Sequence, residues 1–190
     1  MNIYYEYLLC SQAFEKKEYY IVSAYTDNYL HLTGVHTNLD AESFFDKCYA
    51  GTLEESDFDF IKKKQTESEV KGSVRRKINV LPNIMNLFTD TIAIEEDFEK
   101  NRINCALAAG TSSTTLGFVA TGKAKPMTLL KGNELNSDKS KGLDLVLRKK
   151  TGDSKFNEII VGDAEILKEY KNSFADILSD DLLALVKDVE

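Results

Sequence analysis

Residues 103–131 read INCALAAGTSSTTLGFVATGKAKPMTLLK and contain three short runs of apolar and β-branched residues. These runs occupy residues 103–109, 114–121 and 127–130, and turn-forming residues such as Gly110 separate them. Connections this short join antiparallel neighbours, because a parallel pair of strands needs a much longer crossover. The stretch therefore predicts an antiparallel sheet at the centre of the fold.

Helices are expected on both sides of this sheet. Upstream, five apolar residues recur at roughly helical spacing: Tyr4, Tyr5, Leu8, Leu9 and Phe14. Downstream, Asp163 and Ser179 are typical caps at the start of two further helices. We therefore predict an α+β fold in which N-terminal helices precede a twisted antiparallel β-sheet and C-terminal helices follow it. Three more β-type runs complete the sheet: residues 92–98, 143–147 and 156–161.

Local signals also divide the first fifty residues. Residues 19–25 are aromatic and β-branched and predict a strand. Residues 29–33 predict a short helix that Gly34 ends in a left-handed conformation. Asp40 is expected to cap the next helix, which Gly51 ends.

The segment before the sheet is more polar. Residues 53–61 predict a further short helix, and the charged residues 62–72, which lack apolar periodicity, predict a flexible connector. Residues 74–88 keep the spacing of a helix face, and Pro82 should kink or split this helix. Three cations flank its apolar stripe and are typical of a solvated helix face: Arg75, Arg76 and Lys77.

The length and composition indicate one globular unit. The chain has 190 residues, of which 43% are hydrophobic. We predict a single domain over residues 1–190, with residues 163–190 as a C-terminal helical extension packed on it. No apolar stretch approaches the length of a membrane span, and the first residues lack the features of a signal peptide. A soluble, cytoplasmic protein without membrane contact is expected.

The cysteines and the net charge narrow the class of function. Cys10, Cys48 and Cys105 are scattered, without a Cys-x-x-Cys pair or a histidine at ligand spacing, so we predict reduced thiols and no metal site. No cofactor is expected either. The formal charge of −7 disfavours nonspecific binding to nucleic acid. A contact with nucleic acid would therefore need a local basic patch.

Several catalytic motifs are absent from the sequence. It contains no Gly-x-x-x-x-Gly-Lys-Ser/Thr phosphate loop, Gly-x-Gly-x-x-Gly segment, Gly-x-Ser-x-Gly elbow or His-Glu-x-x-His pair. Nucleotide hydrolysis and zinc-dependent proteolysis are therefore disfavoured. The Ser/Thr-rich residues 110–115 could either contact a phosphate or form an ordinary hairpin loop.

The chain has only two histidines, His31 and His36, and they lie five residues apart. Histidine changes charge near neutral pH and is the side chain most often used for general acid–base catalysis. The alternative interpretation is a pair of packing residues at a turn. Five residues and a left-handed turn separate the two rings, so they need not face each other.

Residues of the predicted sheet could complete a site for RNA cleavage without a metal. Attack by the 2′-hydroxyl requires a base, an acid for the leaving 5′-oxygen, and cations that stabilise the phosphorane. The candidate hydrogen-bond donor is Thr128, beside Pro126, which is alternatively an ordinary edge-strand proline. The candidate cations are Lys123, Lys125, Lys131 and Arg148.

Residues 29–36, Tyr-Leu-His-Leu-Thr-Gly-Val-His, resemble the aromatic-x-His-Leu-x-Gly-hydrophobic-His motif of a nuclease family of phages and mobile elements. This family is the fourth phage branch of the barnase/EndoU/colicin/RelE-like (BECR) superfamily. The resemblance implies a helix-then-sheet fold and metal-independent cleavage of RNA by a toxin, anti-phage effector or defence factor. It also implies an RNA substrate and an antitoxin or immunity protein as partner. His31, Gly34 and His36 match the motif, Gly34 in a structural role, and Thr128 matches it less distinctly.

Two hypotheses of different classes follow. The first is a metal-independent ribonuclease whose candidate site residues are His31, His36, Lys125, Thr128 and Arg148. His31 is the preferred general acid or base in it, and His36 is either catalytic or a residue that fixes the turn. The second is a non-catalytic interaction protein of a mobile element that keeps the nuclease-like fold. Helical ends rich in Leu and Tyr would pair two subunits in a homodimer.

Overall fold

The computed structural model describes residues 5–84, 87–89 and 92–186. Its centre is a large, curled, mostly antiparallel sheet with helices packed on it. The strands of the described residues are β1 (Tyr5–Cys10), β2 (Tyr19–Ser23), β3 (His36–Thr37), β4 (Phe58–Asp59), β5 (Ala93–Lys100), β6 (Ile103–Gly110), β7 (Thr114–Thr121), β8 (Lys123–Lys131), β9 (Lys141–Gly142), β10 (Leu145–Lys150) and β11 (Glu158–Val161). The α-helices are α1 (Thr26–Thr33), α2 (Ala41–Ala50), α3 (Glu67–Val80), α4 (Ala164–Phe174) and α5 (Asp180–Leu185).

The large sheet joins two antiparallel groups of strands. Its strand order is β11-β10-β1-β2-β8-β7-β6-β5-β9, and β3 and β4 form a separate two-stranded ribbon. Neighbouring strands in this order are antiparallel except β2 and β8, which run parallel where Val22 lies opposite Ala124. The strands predicted within residues 103–131 form the β6-β7-β8 meander. The α+β class and the mainly antiparallel sheet are therefore confirmed.

The predicted helix at the N-terminus is wrong, because residues 5–10 form the strand β1. Leu8 and Leu9 are both fully buried, although consecutive residues of a strand point to opposite faces. Leu8 packs in a cluster with α4 and α5, and Leu9 packs in a cluster with α1 and α3. A strand covered on both faces needs no polar alternation, so its apolar residues imitated helical spacing. Tyr4, which belonged to the same prediction, lies outside the described residues.

Each face of the large sheet has its own core. The first face, on which α1 and α3 pack, buries Leu32 and Val80 against Phe118 and Leu129. The second face, on which α4 and α5 pack, buries their apolar residues against β1 and β10: Leu8, Leu145, Leu147, Leu167, Phe174 and Leu182. A smaller cluster contains Phe98, Cys105 and Ala108. The predicted site residues are divided between these two faces.

Two of the predictions for residues 53–72 are wrong. Residues 53–61 form a single 3-10 turn, Glu55–Asp57, and then β4 instead of a helix. The connector predicted over residues 62–72 is shorter than expected, because α3 begins at Glu67. Thr66 and Glu69 form a reciprocal capping box at this helix start. The first turn of α3 is exposed and polar, so apolar periodicity could not reveal it.

Helix ends with local signals follow the predictions. Gly34 and Gly51 end α1 and α2 in the left-handed conformation, with φ of 71° and 68°. Asp40 and Asp163 cap α2 and α4 by accepting hydrogen bonds from backbone amides. Ser179 caps α5 in the same way.

The predicted break at Pro82 is also present. α3 ends at Val80, and a 3-10 turn over Leu81–Ile84 contains the proline. Met85, which was assigned to the same helix face, lies outside the described residues.

The C-terminal helices extend the second-face core. Leu167, Phe174, Leu182 and Val186 are buried there, and Phe156 makes an isolated bridge to Leu178 that ties this segment to the sheet. The single domain over residues 1–190, with residues 163–190 as its extension, stays a prediction.

Candidate functional site

The turn between the two histidines is held by its own hydrogen bonds. Gly34 closes α1 by donating its backbone N–H to the carbonyl of Leu30. The buried Thr33 donates its hydroxyl to the same carbonyl at 2.8 Å and accepts from the amide of Val35 at 3.3 Å. His31 therefore lies on α1 and His36 on β3, and both are exposed.

His36 is oriented by a carboxylate from a distant part of the chain. Strands β3 and β4 place His36 opposite Asp59, and the imidazole Nδ1 lies 2.9 Å from both carboxylate oxygens. Oδ1 of Asp59 also accepts the backbone N–H of Ile61 at 2.8 Å. This amide and the bond to His36 hold the pKa of Asp59 below its ordinary value. Asp59 therefore remains a carboxylate at neutral pH. It binds Nδ1 of His36 and makes no contact with the other imidazole nitrogen, Nε2.

A second carboxylate anchors the ribbon that carries this pair. The ammonium of Lys47 on α2 donates to both oxygens of Asp57 at 2.8 Å, and the amide of Glu54 donates to one of them. The hydroxyl of Thr37, next to His36, donates to the carbonyl of Asp57. The bonds from Lys47 and then Glu54 lower the pKa of Asp57. The position of β4 against α2 is thus defined by charge-assisted hydrogen bonds.

Lys125 and Thr128 lie on the second face of the large sheet. Their neighbours Ala124 and Leu129 belong to the first-face core, and a register shift near Met127 keeps Lys125 and Thr128 on the same side. The Lys125 ammonium lies 5.2 Å from the centre of the Tyr25 ring.

Thr128 is buried opposite Gly117. A Cβ atom on Gly117 would lie 2.8 Å from Cγ2 of Thr128, so this position has room only for glycine. His31 belongs to α1, which packs on the other face of the sheet through Leu32.

Arg148 is engaged by a carboxylate on the neighbouring strand. Its guanidinium donates two hydrogen bonds to Glu158, at 2.9 and 2.8 Å, and lies 4.4 Å from the centre of the Tyr5 ring. Arg148 pairs across the sheet with Tyr7, whose side chain packs against the first-face core. Within the described ranges, no hydrogen bond or ion pair joins two of the five predicted site residues.

The Ser/Thr-rich residues 110–115 contain the turn between β6 and β7, which occupies residues 111–113. Their hydroxyls bond within the protein: Thr115 donates to the carbonyl of Gly132, and Ser113 and Thr114 accept from the amide of Asn83. These bonds fit an ordinary hairpin loop.

A buried ionic group lies on the second face and has no counterpart in the sequence predictions. The carboxylate of Glu6 is 2% exposed, accepts from the Lys123 ammonium at 2.6 Å and lies 3.2 Å from that of Lys149. Ser23, directly across the sheet from Glu6, is buried, and its hydroxyl has no partner among the described residues. An open cleft of about 450 Å³ reaches Lys123 between β2 and the turn at Gly122. We call Glu6, Lys123 and Lys149 the Glu6 group.

The sequence did not reveal Asp59 or Glu6 as site candidates, for two different reasons. Asp59 lies 23 residues from His36, and residues 53–61 were assigned to a helix, so nothing local linked them. Glu6 lies in the segment that was predicted as a helix, which hid its position between Ser23 and Lys149 on adjacent strands. Only the pairing of strands reveals either relation.

Comparison with known proteins supports the predicted resemblance. A family model described as phage-Barnase-EndoU-ColicinE5/D-RelE like nuclease 4 matches residues 1–172. No curated protein and no solved structure matches the chain. Among the residues that the structure describes, no helix is long and apolar enough to cross a membrane. Within the same ranges, no group of three or more His, Cys, Asp or Glu side chains is arranged to hold a metal ion.

Proposed function

Because the chain belongs to this family of phage barnase-, EndoU-, colicin- and RelE-like nucleases, we propose that it cleaves RNA without a metal ion and uses His36 for proton transfer. The observation that carries the proposal is the bond between Nδ1 of His36 and Asp59. A carboxylate in this position fixes the orientation of the ring through Nδ1, while the opposite nitrogen stays available to a substrate. The 63% exposure of the His36 side chain is compatible with contact to a polymer.

The reaction needs two proton transfers. A base accepts the proton of the 2′-hydroxyl, whose oxygen attacks the adjacent phosphorus. The bond to the 5′-oxygen breaks, and an acid protonates that oxygen. The products are a 2′,3′-cyclic phosphate and a 5′-hydroxyl end. His36 performs one of these transfers in our proposal. His31 is the second candidate, although none of the described hydrogen bonds orients its ring.

Lys125, Thr128 and Arg148 have weaker support as catalytic groups. Arg148 already binds Glu158 through two nitrogens, and Thr128 is buried. Lys125 forms no ion pair in the described part of the chain and is the member of this set that remains available to an RNA phosphate.

The test is cleavage of RNA in the presence of EDTA by the parent and by His36→Gln. The variant keeps a side chain of similar size but cannot transfer a proton, and we expect the rate to fall by about 10²–10⁴-fold. A substrate with a single 2′-deoxynucleotide at the cleaved position should resist both proteins. The absence of cleavage by the parent, or equal rates for parent and variant, would reject the proposal.

A protein partner is a second candidate function, favoured by one observation. Ile61, two residues after Asp59, is 74% exposed, and its amide supports the carboxylate that orients His36. An antitoxin or immunity protein that covers the His36 turn would bury this side chain. Isothermal titration against proteins encoded beside this chain, with Ile61→Ser as the variant, tests this role. An affinity that Ile61→Ser leaves unchanged would exclude Ile61 from such an interface.

A further inference from the structure

Lys77 on α3 lies over the turn that links the two histidines. A Cβ atom on Gly34 would lie 3.2 Å from the Lys77 ammonium nitrogen and 3.3 Å from its Cδ, so the lysine side chain runs directly against the glycine backbone. Gly34 adopts a φ of 71°, and its lack of a side chain leaves room for this approach. Lys77, expected to lie on a solvated helix face, is instead partly buried beside Gly34, which is two residues from His36 in sequence.

This lysine has no counter-charge in the described part of the chain. None of the ion pairs there involves Lys77 or Lys62. Burial, and then the positive charge of Lys62, lower the pKa of Lys77. Acidic residues outnumber basic ones by 31 to 24 in this protein, so a partly desolvated lysine beside a second lysine is unusual.

Both lysines are linked to the His36–Asp59 pair through the chain, because Lys77 lies against Gly34, which is two residues before His36. Lys62 follows Asp59 by three residues, and the intervening Ile61 donates its amide to that carboxylate. Four more exposed cations belong to this loop and to α3: Lys63, Lys64, Arg75 and Arg76. An anion is the ligand that would relieve the repulsion between Lys62 and Lys77.

We propose that Lys62 and Lys77 bind a backbone phosphate of the RNA substrate beside His36. The inference rests on the proposed function for the identity of the ligand, but binding can be measured without cleavage. Phosphate contacts position a nucleic acid and carry no base sequence information. These lysines should therefore set affinity and register, while His36 acts on the bond to be cleaved.

The experiment uses a labelled RNA oligonucleotide with 2′-O-methyl groups at every position, which attack by a 2′-hydroxyl cannot cleave. Fluorescence anisotropy gives its affinity for the full chain at salt concentrations from about 50 to about 200 mM. We expect Lys62→Gln and Lys77→Gln each to weaken binding about threefold to tenfold and to reduce the salt slope by about 0.7, because each variant removes one cation that neutralises a phosphate. Lys139→Gln, which removes an exposed lysine from the segment 132–140, outside α3 and the loop that precedes it, is the matched control and should retain the parent slope.

The outcomes separate this inference from the proposed function. If both variants bind with the affinity and slope of Lys139→Gln, the phosphate site is wrong, whether or not the parent cleaves RNA. If the parent binds as expected but cleaves no RNA in EDTA, the phosphate site stands and the ribonuclease proposal fails. If Lys77→Gln does not fold, Lys62→Gln decides, because Lys62 is exposed and its replacement leaves no cavity.

Discussion

The His36–Asp59 pair and the Glu6 group both join a carboxylate to a basic side chain, but their environments differ. The pair lies on a two-stranded ribbon, and its side chains are 63% and 41% exposed. The Glu6 carboxylate is 2% exposed and contacts Lys149 on the neighbouring strand β10 and Lys123 on β8, two strands away. Solvent and substrate reach His36 and Asp59, whereas the Glu6 carboxylate is buried in the sheet and its partner Lys123 is 43% exposed.

This difference separates a chemical role from a structural one. An exposed imidazole can exchange a proton with a substrate because either charge state is solvated. The buried Glu6 carboxylate has exchanged contact with water for contact with two lysines, so removing one member of the group is costly. We therefore assign proton transfer to His36 and strand alignment to the Glu6 group.

The largest effect is expected for Glu6→Gln. It leaves Lys149 buried without its carboxylate, and we expect the free energy of unfolding to fall by about 3 kcal/mol. Urea unfolding measures this decrease. Glu67→Gln is the matched control, because Glu67 also pairs with a lysine at 2.6 Å but is exposed, and it should cost less than about 1 kcal/mol. If Glu6→Gln were as stable as the parent but no longer cleaved RNA, the Glu6 group would have a catalytic role and not the structural one that we assign to it.

Asp59→Asn should affect catalysis more than folding. The amide loses the charge-assisted hydrogen bond that orients the imidazole through Nδ1, so we expect cleavage to slow by on the order of 10²-fold. The rate of RNA cleavage at saturating substrate, compared with His36→Gln and with the double variant, is the measurement. The double variant should be no slower than His36→Gln, because Asp59 acts through His36. Additive decreases in rate would show that Asp59 has a separate role.

Gly34→Ala tests how the turn and Lys77 share space. The left-handed conformation costs an alanine about 1–2 kcal/mol, and the new methyl group would also crowd Lys77. Gly51→Ala is the control, because Gly51 has nearly the same φ, and nothing lies within 4 Å of its added Cβ. Chemical unfolding should show a similar decrease in the free energy of unfolding for both variants. Gly34→Ala alone should weaken binding of the 2′-O-methyl oligonucleotide. Equal binding by both variants would contradict the packing of Lys77 on Gly34.

The smallest effect is the pH dependence of Asp57→Asn. The lowered pKa of Asp57 means that its stabilising effect is complete above the unfolded pKa, about 3.9, and is lost as pH falls through the folded pKa. The difference in unfolding free energy between parent and variant should thus be present at neutral pH and shrink in acid. Urea titrations at neutral pH and near pH 3 measure it. A difference that does not depend on pH would mean that the charge of Asp57 does not hold the ribbon.

Sequence patterns predicted those features that depend on near neighbours. The left-handed ends of α1 and α2 and the caps at Asp40 and Ser179 are local, because each involves atoms a few residues apart. The hairpins of the β6-β7-β8 meander belong to the same class, since short turns define their pairing. The motif with His31, Gly34 and His36 was also sufficient to indicate the nuclease family.

Features that depend on distant strands could not be predicted in this way. β1 was mistaken for a helix because burial on both faces removes the alternation that marks a strand. The partner of His36 was missed because the pairing of β3 with β4 has no local signal in strands of two residues each. The placement of Lys77 over Gly34 depends on how α3 packs, and the sequence alone indicated only a solvated lysine.

The sequence by itself determined the α+β class, the helix caps, the antiparallel meander and the family, because these depend on side-chain type and short spacing. Only the tertiary structure decided which carboxylate orients His36, which lysines surround Glu6, and which cation covers the turn between the histidines. The physical reason is that ion pairs and packing act over a few ångströms in space, whereas their partners are separated by tens of residues in the chain.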